Sequence, residues 1–284
     1  MEIREEELTR YILPLREGGS LPLLGEASDG FRYVVKMRGA GHGKKALISE
    51  LIGGMVAKAF KFRTPELVLL HLDEAFGITE PDEEVQELLR KSEGLNLGLH
   101  FLDGAATFDP AVNTVDPLMA SKIVWLDAFL TNVDRTRLNP NMMIWHGELW
   151  LIDNGASLYF HHSGKDPDQA ALDPFPYISR HALLPAASQL EEADKLMRQA
   201  ITPRTLERVV DLVPEEWLTD EVTLTELSSL SGSGASTIGE RPAEESSTPA
   251  QRRAGYKKFL TKRLAESRIF TDEAIRQRNL LSLK

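Results

Sequence analysis

Apolar-rich stretches run from Leu21 to Ala27 and from Phe31 to Met37 on either side of Ser28-Asp29-Gly30, which predicts a β-hairpin whose second strand closes on Lys36. The period then changes. After RGAGHGKK, with Gly39, Gly41 and Gly43 at every second position, Leu47, Leu51 and Met55 with Ile48, Ile52 and Val56 beside them mark the buried stripe of a helix over Ala46 to Phe60. Glu50 falls just outside that stripe. A strand from Glu66 to Leu72 follows the Pro65 turn, and the charged run Glu83 to Lys91 reads as a short exposed helix. GLNLGLHFLDG, Gly94 to Gly104, is expected to be extended and flexible, a crossing between two lobes.

Asp116 as N-cap and Pro117 as first helical residue open a helix whose broad apolar face spans Leu118 to Leu130. A polar loop follows, and then a second hairpin, Asn141 to Trp145 and Leu149 to Ile152, turns about His146-Gly147 and delivers Asp153 at its end. Further helices are expected over Ala186 to Ala200, Pro203 to Leu212, Gln251 to Ser267 and Thr271 to Leu281. Between Ser228 and Ala250 the composition collapses to Ser, Gly, Pro, Thr and Glu, too polar to offset its ordering entropy, which predicts a disordered insertion over 228–250. The pattern is α+β, in a β-rich N-terminal lobe over 1–96, a hinge over 97–104 and a mainly helical lobe over 105–284.

At 284 residues and 42% hydrophobic, the chain can bury a large core. No apolar run approaches the roughly 20 residues that span a bilayer, and MEIREEELTRYILPLREGG places acids where a secretory leader carries bases, so a cytoplasmic location is expected. Cysteine is absent, which excludes disulfides and thiolate chemistry and leaves any metal to oxygen or imidazole ligands. A net charge of −10 argues against a surface built for nucleic acid. The basic run RRAGYKKFLTKR, Arg252 to Arg263, reads as a solvated helix face. The pair His161-His162 is not expected to share a metal, since neighbours on an extended chain point to opposite faces. Trp125, Trp145, Trp150 and Trp217 read as core.

Chemistry gathers elsewhere. Phosphoryl transfer needs a cation for the phosphates, a carboxylate to orient it, backbone that covers the phosphates, a base, and oxygen ligands for magnesium. Lys36 and Glu50, one strand-to-helix crossing apart, are placed to form such an ion pair, and Gly39, Gly41 and Gly43 between them could offer N–H groups to phosphate. Asp134 lies in the loop before the hairpin, while Asn141 and Asp153 stand at the hairpin's same end, where their oxygens could share one hard cation. Asp134 can face that point as base, and Arg135 beside it can neutralise phosphate or keep the base ionised. The plainer alternative is that Asp134 caps a turn and Asp153-Asn154-Gly155 is only a reversal.

VDRTRLNPNMMIW followed by LWLIDNG resembles the catalytic loop and metal-binding turn of the HipA-like and phosphatidylinositol-kinase-like branches of the protein-kinase superfamily, and Tyr33 to Phe60 is similar to the small HipA-like kinase domains. The resemblance spans about residues 20–220. It implies a two-lobed protein-kinase-like fold and an ATP- and Mg2+-dependent kinase, with Lys36 on the nucleotide phosphate, Asp134 as base, and Asn141 and Asp153 on magnesium. Asn139, five residues after Asp134 where the common pattern has its asparagine, stays as the alternative to Asn141. Asn132 stands where many kinases have His, and Asn154 where they have Phe. A protein Ser/Thr hydroxyl is the leading acceptor, with a small molecule or lipid headgroup as alternatives, and a pseudokinase acting as an interaction module is the rival from another class.

Overall fold

The computed structural model describes residues 2–15, 21–41, 43–77, 81–219 and 247–281. Five strands form a closed barrel: β1 (Arg4–Pro14), β2 (Leu23–Ala27), β3 (Arg32–Lys36), β4 (Leu67–Leu72) and β5 (Gly94–His100), in spatial order β1-β2-β3-β5-β4. Parallel pairing of β1 with β4, Arg4 opposite Val68 through Glu7 opposite His71, shuts the ring. The predicted hairpin is β2–β3, paired from Leu23 opposite Val35 to Glu26 opposite Arg32. β1 had no counterpart in the pattern because REEELTRYILP is polar on both faces and buries only Leu8. Gly94 to Gly104 is corrected. Its first seven residues are β5, hydrogen-bonded to β3 and β4 and buried from Leu95 to Leu99, so they form barrel wall and not a flexible crossing.

Helix α1 (Gly43–Ala59) follows β3. Every residue from Leu47 to Ala57 is buried, so the one-sided stripe was too narrow: the helix is enclosed all round, Glu50 included. Helix α2 (Glu83–Lys91), capped by Asp82, precedes β5. Helix α3 (Pro117–Leu130) starts as expected, the Asp116 carboxylate accepting the N–H groups of Leu118 and Met119. A second sheet, β6 (Ala106–Thr107), β7 (Met142–Trp145) and β8 (Glu148–Leu151), contains the second predicted hairpin. Its two-residue turn has φ +49° at His146 and +75° at Gly147, the mirror-image turn that matches strand twist.

The remainder is helical: α4 (Phe160–Ser163), α5 (Pro167–Ala170), α6 (Leu190–Ala200), α7 (Pro203–Val210), α8 (Pro249–Ala265) and α9 (Arg268–Leu281). The helix expected from Ala186 is shorter, since Leu184–Ala186 is a 3-10 turn and α6 begins at Leu190. Of the expected insertion, 228–246 lies outside the described residues, whereas Pro249 and Ala250 are helical, behind a capping box made by Thr248 and Gln251. No helix among the described residues is long and apolar enough to cross a membrane. The fold is mixed α+β.

The core runs from α1 through α3 to the last helices. Trp125 stacks on Phe129 at 5.3 Å and meets Phe60 and Phe270 edge-on. Trp217 is also core, its indole N–H donating to Leu95 O at 3.0 Å. Trp145 and Trp150 are not. They stand half-buried at the hairpin tip and, with Phe31 and His100, line a cavity of about 290 Å³ away from the polar cluster described below. The basic run is largely spent within the chain: Lys257 pairs with Asp211, Lys258 and Lys262 with Asp168, and buried Arg263 donates to the carbonyls of Ala128, Phe129, Ala171 and Asp173.

Candidate active site

Lys36 ends β3, and the barrel wall aims its side chain at α1. Its ammonium donates to Glu50 Oε2 at 2.6 Å and to Asp153 Oδ1 at 2.5 Å, so residues 117 positions apart meet at one cation. Burial alone would drive this lysine towards neutrality, but the charges of Glu50 and Asp153 outweigh it and push its pKa above the usual value. Asp153 is likewise penalised by burial, and the Lys36 ammonium more than compensates, holding it below the usual carboxylate range. Glu50 goes the other way: complete burial, reinforced by the neighbouring Asp153 charge, pushes it up despite Lys36. Asp153 commits Oδ1 to Lys36 and to the Gly155 N–H, while Oδ2 has no protein partner among the described residues, and its side chain keeps 42% of its surface exposed.

Asp134 sits between the two asparagines that competed for the metal role. Asn139 Nδ2 donates to Asp134 Oδ2 at 2.8 Å, and Asn141 Nδ2 reaches the same oxygen at 3.2 Å. Asn139 is exposed. Asn141 is buried and joined to the far end of the hairpin, its carbonyl accepting the Ile152 N–H, so it stands one residue in register from Asp153. The structure therefore brings Lys36, Glu50 and Asp153 into contact, and Asp134, Asn139 and Asn141 into contact, with hairpin β7–β8 joining the two groups.

Arg135 has a different place from the one expected. It is 1% exposed and points away from Asp134 into the protein. Nε donates to Asp127 Oδ2 at 2.6 Å, Nη1 to the carbonyls of Asn141 and Ile152, and Nη2 to Asn154 Oδ1 at 3.1 Å. With its donors committed to the interior it cannot neutralise phosphate, and instead ties together both ends of the hairpin. The glycines are corrected as well: the Gly39 N–H donates to Ser92 Oγ and that of Gly43 to Ala40 O, so neither is offered to a phosphate, and only Gly41 lies in open space.

Two further residues complete the arrangement, Asp127, which the pattern did not single out, and Asn154, which it read as part of a turn. Asp127, buried on α3, holds Arg135; burial penalises its carboxylate, but the Arg135 charge and the bonds it accepts keep its pKa below the usual range. Asn154, at the position after Asp153, donates its N–H to Glu50 Oε2 at 2.9 Å and accepts from Arg135, so one buried side chain and its own amide touch α1 and the buried arginine together. Neither could be found by spacing, because a lone Asp in an apolar helix and an Asn before Gly both have ordinary roles as caps and turns. The histidine pair also differs from expectation. His161 and His162 lie on a helical turn, not an extended strand, and their Nε2 atoms are 2.9 Å apart, in a chain of bonds that continues from His161 Nδ1 to the Tyr256 hydroxyl. Among the described residues no group of three or more His, Asp or Glu is placed to hold a metal.

The order of groups in space, strand lysine to helix glutamate to hairpin aspartate, is accompanied by a match of residues 9–238 to the model of the HipA-like kinase family. The chain belongs to the HipA-like kinase family. That places Lys36, Glu50, Asp134, Asn141 and Asp153 all within the matched HipA-like region. The crystal structure of a Helicobacter pylori proinflammatory kinase, CtkA, is similar in fold, with a TM-score of 0.52 over 99% of this chain and 100% of that one, at 12% identity. No curated protein matches the chain.

Proposed function

We propose that this HipA-like kinase is an ATP- and Mg2+-dependent phosphotransferase of two-lobed arrangement, in which the barrel and α1 form one lobe, the connection after β5 the hinge, and the helices with hairpin β7–β8 the other. The observation that carries the proposal is the Lys36 ammonium bonded to both Glu50 and Asp153. A lysine held charged between a helix glutamate and a hairpin aspartate is the arrangement that places a cation on nucleotide phosphates next to a metal carboxylate.

The donors present fit magnesium, a hard cation that takes oxygen. Asp153 Oδ2 and Asn141 Oδ1 have no protein partner among the described residues, and these two would hold the ion, with Asn139 as the outer alternative. Bound there, magnesium would neutralise charge on the transferring phosphoryl group. Lys36 orients the phosphates, and Glu50 keeps Lys36 aimed. Asp134 accepts the proton of the acceptor hydroxyl as that hydroxyl's oxygen bonds the γ-phosphorus and the bond from the γ-phosphorus to the bridging oxygen breaks, releasing ADP. A protein Ser/Thr hydroxyl is the acceptor we favour, on family grounds. Nucleotide turnover and autophosphorylation of Asp134→Ala and Asp153→Ala test the assignment: both are expected to fall to background, and wild-type rates in both would sink it.

A further inference from the structure

Beneath the candidate base lies a buried histidine that neither phosphate nor metal would touch. His181 follows the 3-10 turn Pro176–Arg180, and the backbone seats it against the catalytic loop: Thr136 and His181 form an isolated antiparallel bridge, and the Ala182 N–H donates to Arg135 O at 3.0 Å. Its ring has one consistent proton assignment. The Leu183 N–H donates to Nδ1 at 3.0 Å, so Nδ1 must be the acceptor and the proton of the neutral ring sits on Nε2, which donates to Asp127 Oδ2 at 2.8 Å.

Asp127 thus receives His181 and Arg135 Nε on Oδ2, and Asn132 Nδ2 on Oδ1 at 3.1 Å. Asn132 in turn accepts the Asp134 N–H on its own Oδ1 at 3.0 Å. The residues two before and one after Asp134 are therefore both fastened to a single carboxylate, and that carboxylate has its plane fixed by three donors from three directions. A histidine that donates to an aspartate commonly sets the orientation of a group one step removed from the chemistry.

We propose that His181 is a positioning residue for phosphoryl transfer: as the Nε2–H tautomer it fixes the Asp127 carboxylate and, through Asn132 and Arg135, the aim of Asp134. The inference rests on the phosphotransfer assignment. A histidine that merely filled core space would be replaced as well by any side chain of similar volume, and a donor would not matter.

That difference sets the experiment. His181→Leu keeps volume without a donor, and His181→Gln can return an N–H towards Asp127. Steady-state kinetics with Mg·ATP, thermal unfolding and a long-range 1H–15N correlation of the wild-type ring are measured together. A displacement of about 1 Å at the reacting groups lowers rates about 100-fold, so His181→Leu is expected to lose kcat on that scale with KM little changed. His181→Gln should regain about tenfold or more of the loss, at a melting temperature no higher than that of the Leu variant. The wild-type spectrum should show Nε2 protonated and Nδ1 bare. Equal kcat in the Leu and Gln variants, a loss carried wholly by KM, or an Nδ1–H tautomer would overturn the role of His181 even with Asp134→Ala inactive. Wild-type turnover in Asp134→Ala, or none in the wild type, would instead overturn the phosphotransfer assignment and the positioning role with it.

Discussion

Replacing Gly53 by alanine sets helix propensity against packing at the point where α1 meets the turn Asp153-Asn154-Gly155. Alanine is favoured over glycine inside a helix by about 1 kcal/mol, so an unconstrained site would gain stability. At Gly53, however, a new Cβ would stand 2.6 Å from Asn154 Cβ, an atom one bond from backbone that cannot swing aside. Asn154 must shift, and with it the bonds it makes to Glu50 and Arg135. Overpacking costs about 1–3 kcal/mol and losing a buried hydrogen bond to a charged group about 1.5–3 kcal/mol, so after the alanine gain of about 1 kcal/mol the net expected loss is about 1.5–5 kcal/mol. For a chain of this size that lowers the melting temperature by about 3–20 °C. Gly54 is the control. Its Cβ would meet Leu67 Cδ1 at 2.8 Å, the free end of a side chain that can rotate for about 1 kcal/mol, so Gly54→Ala should unfold close to wild type. Thermal unfolding of the two variants, with the KM for Mg·ATP of each, decides the matter. If Gly53→Ala is as stable as Gly54→Ala and binds nucleotide normally, Asn154 is not the rigid link between α1 and the loop.

Arg135→Lys keeps the charge but cannot span Asp127, two carbonyls and Asn154 with one ammonium; it should destabilise the fold by about 3–5 kcal/mol in urea titration, and a loss under about 1 kcal/mol would refute the clamp. The Asp127 carboxyl is held below its usual range in the folded chain, so its stabilisation is fully present above the unfolded value of about 3.9 and disappears as pH falls through the lower folded value. Urea unfolding at stepped pH should therefore show a steeper acid limb in the wild type than in Asp127→Asn, and parallel limbs would contradict the shift. Asn141→Ala should raise the magnesium concentration needed for half-maximal turnover more than Asn139→Ala does, because Asn141 is buried at the hairpin and Asn139 is exposed; the reverse order would move the metal ligand to Asn139.

What the chain reveals before folding follows from how local each signal is. The hairpins, the Asp116 cap with Pro117 and the run Glu83 to Lys91 are set by residues within a few positions of one another, and they form where the pattern puts them. β1 is invisible because its stability comes from pairing with two strands, not from burying its own side chains. Lys36 and Glu50 could be placed from their order along a strand and a helix, yet the enclosure of Glu50 depends on the residues that cover α1 from the far side, among them Asn154. Arg135 illustrates the limit. Its neighbour Asp134 suggested a phosphate contact, but side-chain direction is decided by the buried Asp127 carboxylate on α3, eight residues earlier, that no periodicity exposes.

Sequence offered two meanings for the polar residues that bracket the hairpin, turn-makers or ligands, and the backbone makes the two compatible. Asn141 and Asp153 have φ values of +49° and +52°, in the left-handed region that costs most L-residues about 1–2 kcal/mol and that Asn and Asp tolerate best. The turn at Asn141 sends its carbonyl inward, where Arg135 holds it together with that of Ile152, the residue before Asp153. With the carbonyls gathered on the buried side, Asp153 Oδ1 meets Lys36 and the Asn141 amide meets Asp134 on the other. The strain is thus offset by the buried arginine, and the same short side chains that make the left-handed turns acceptable are the ones with oxygens suited to a hard cation. Glutamate or glutamine would bring the oxygens but fit the left-handed turns less well, and glycine would satisfy only the turn.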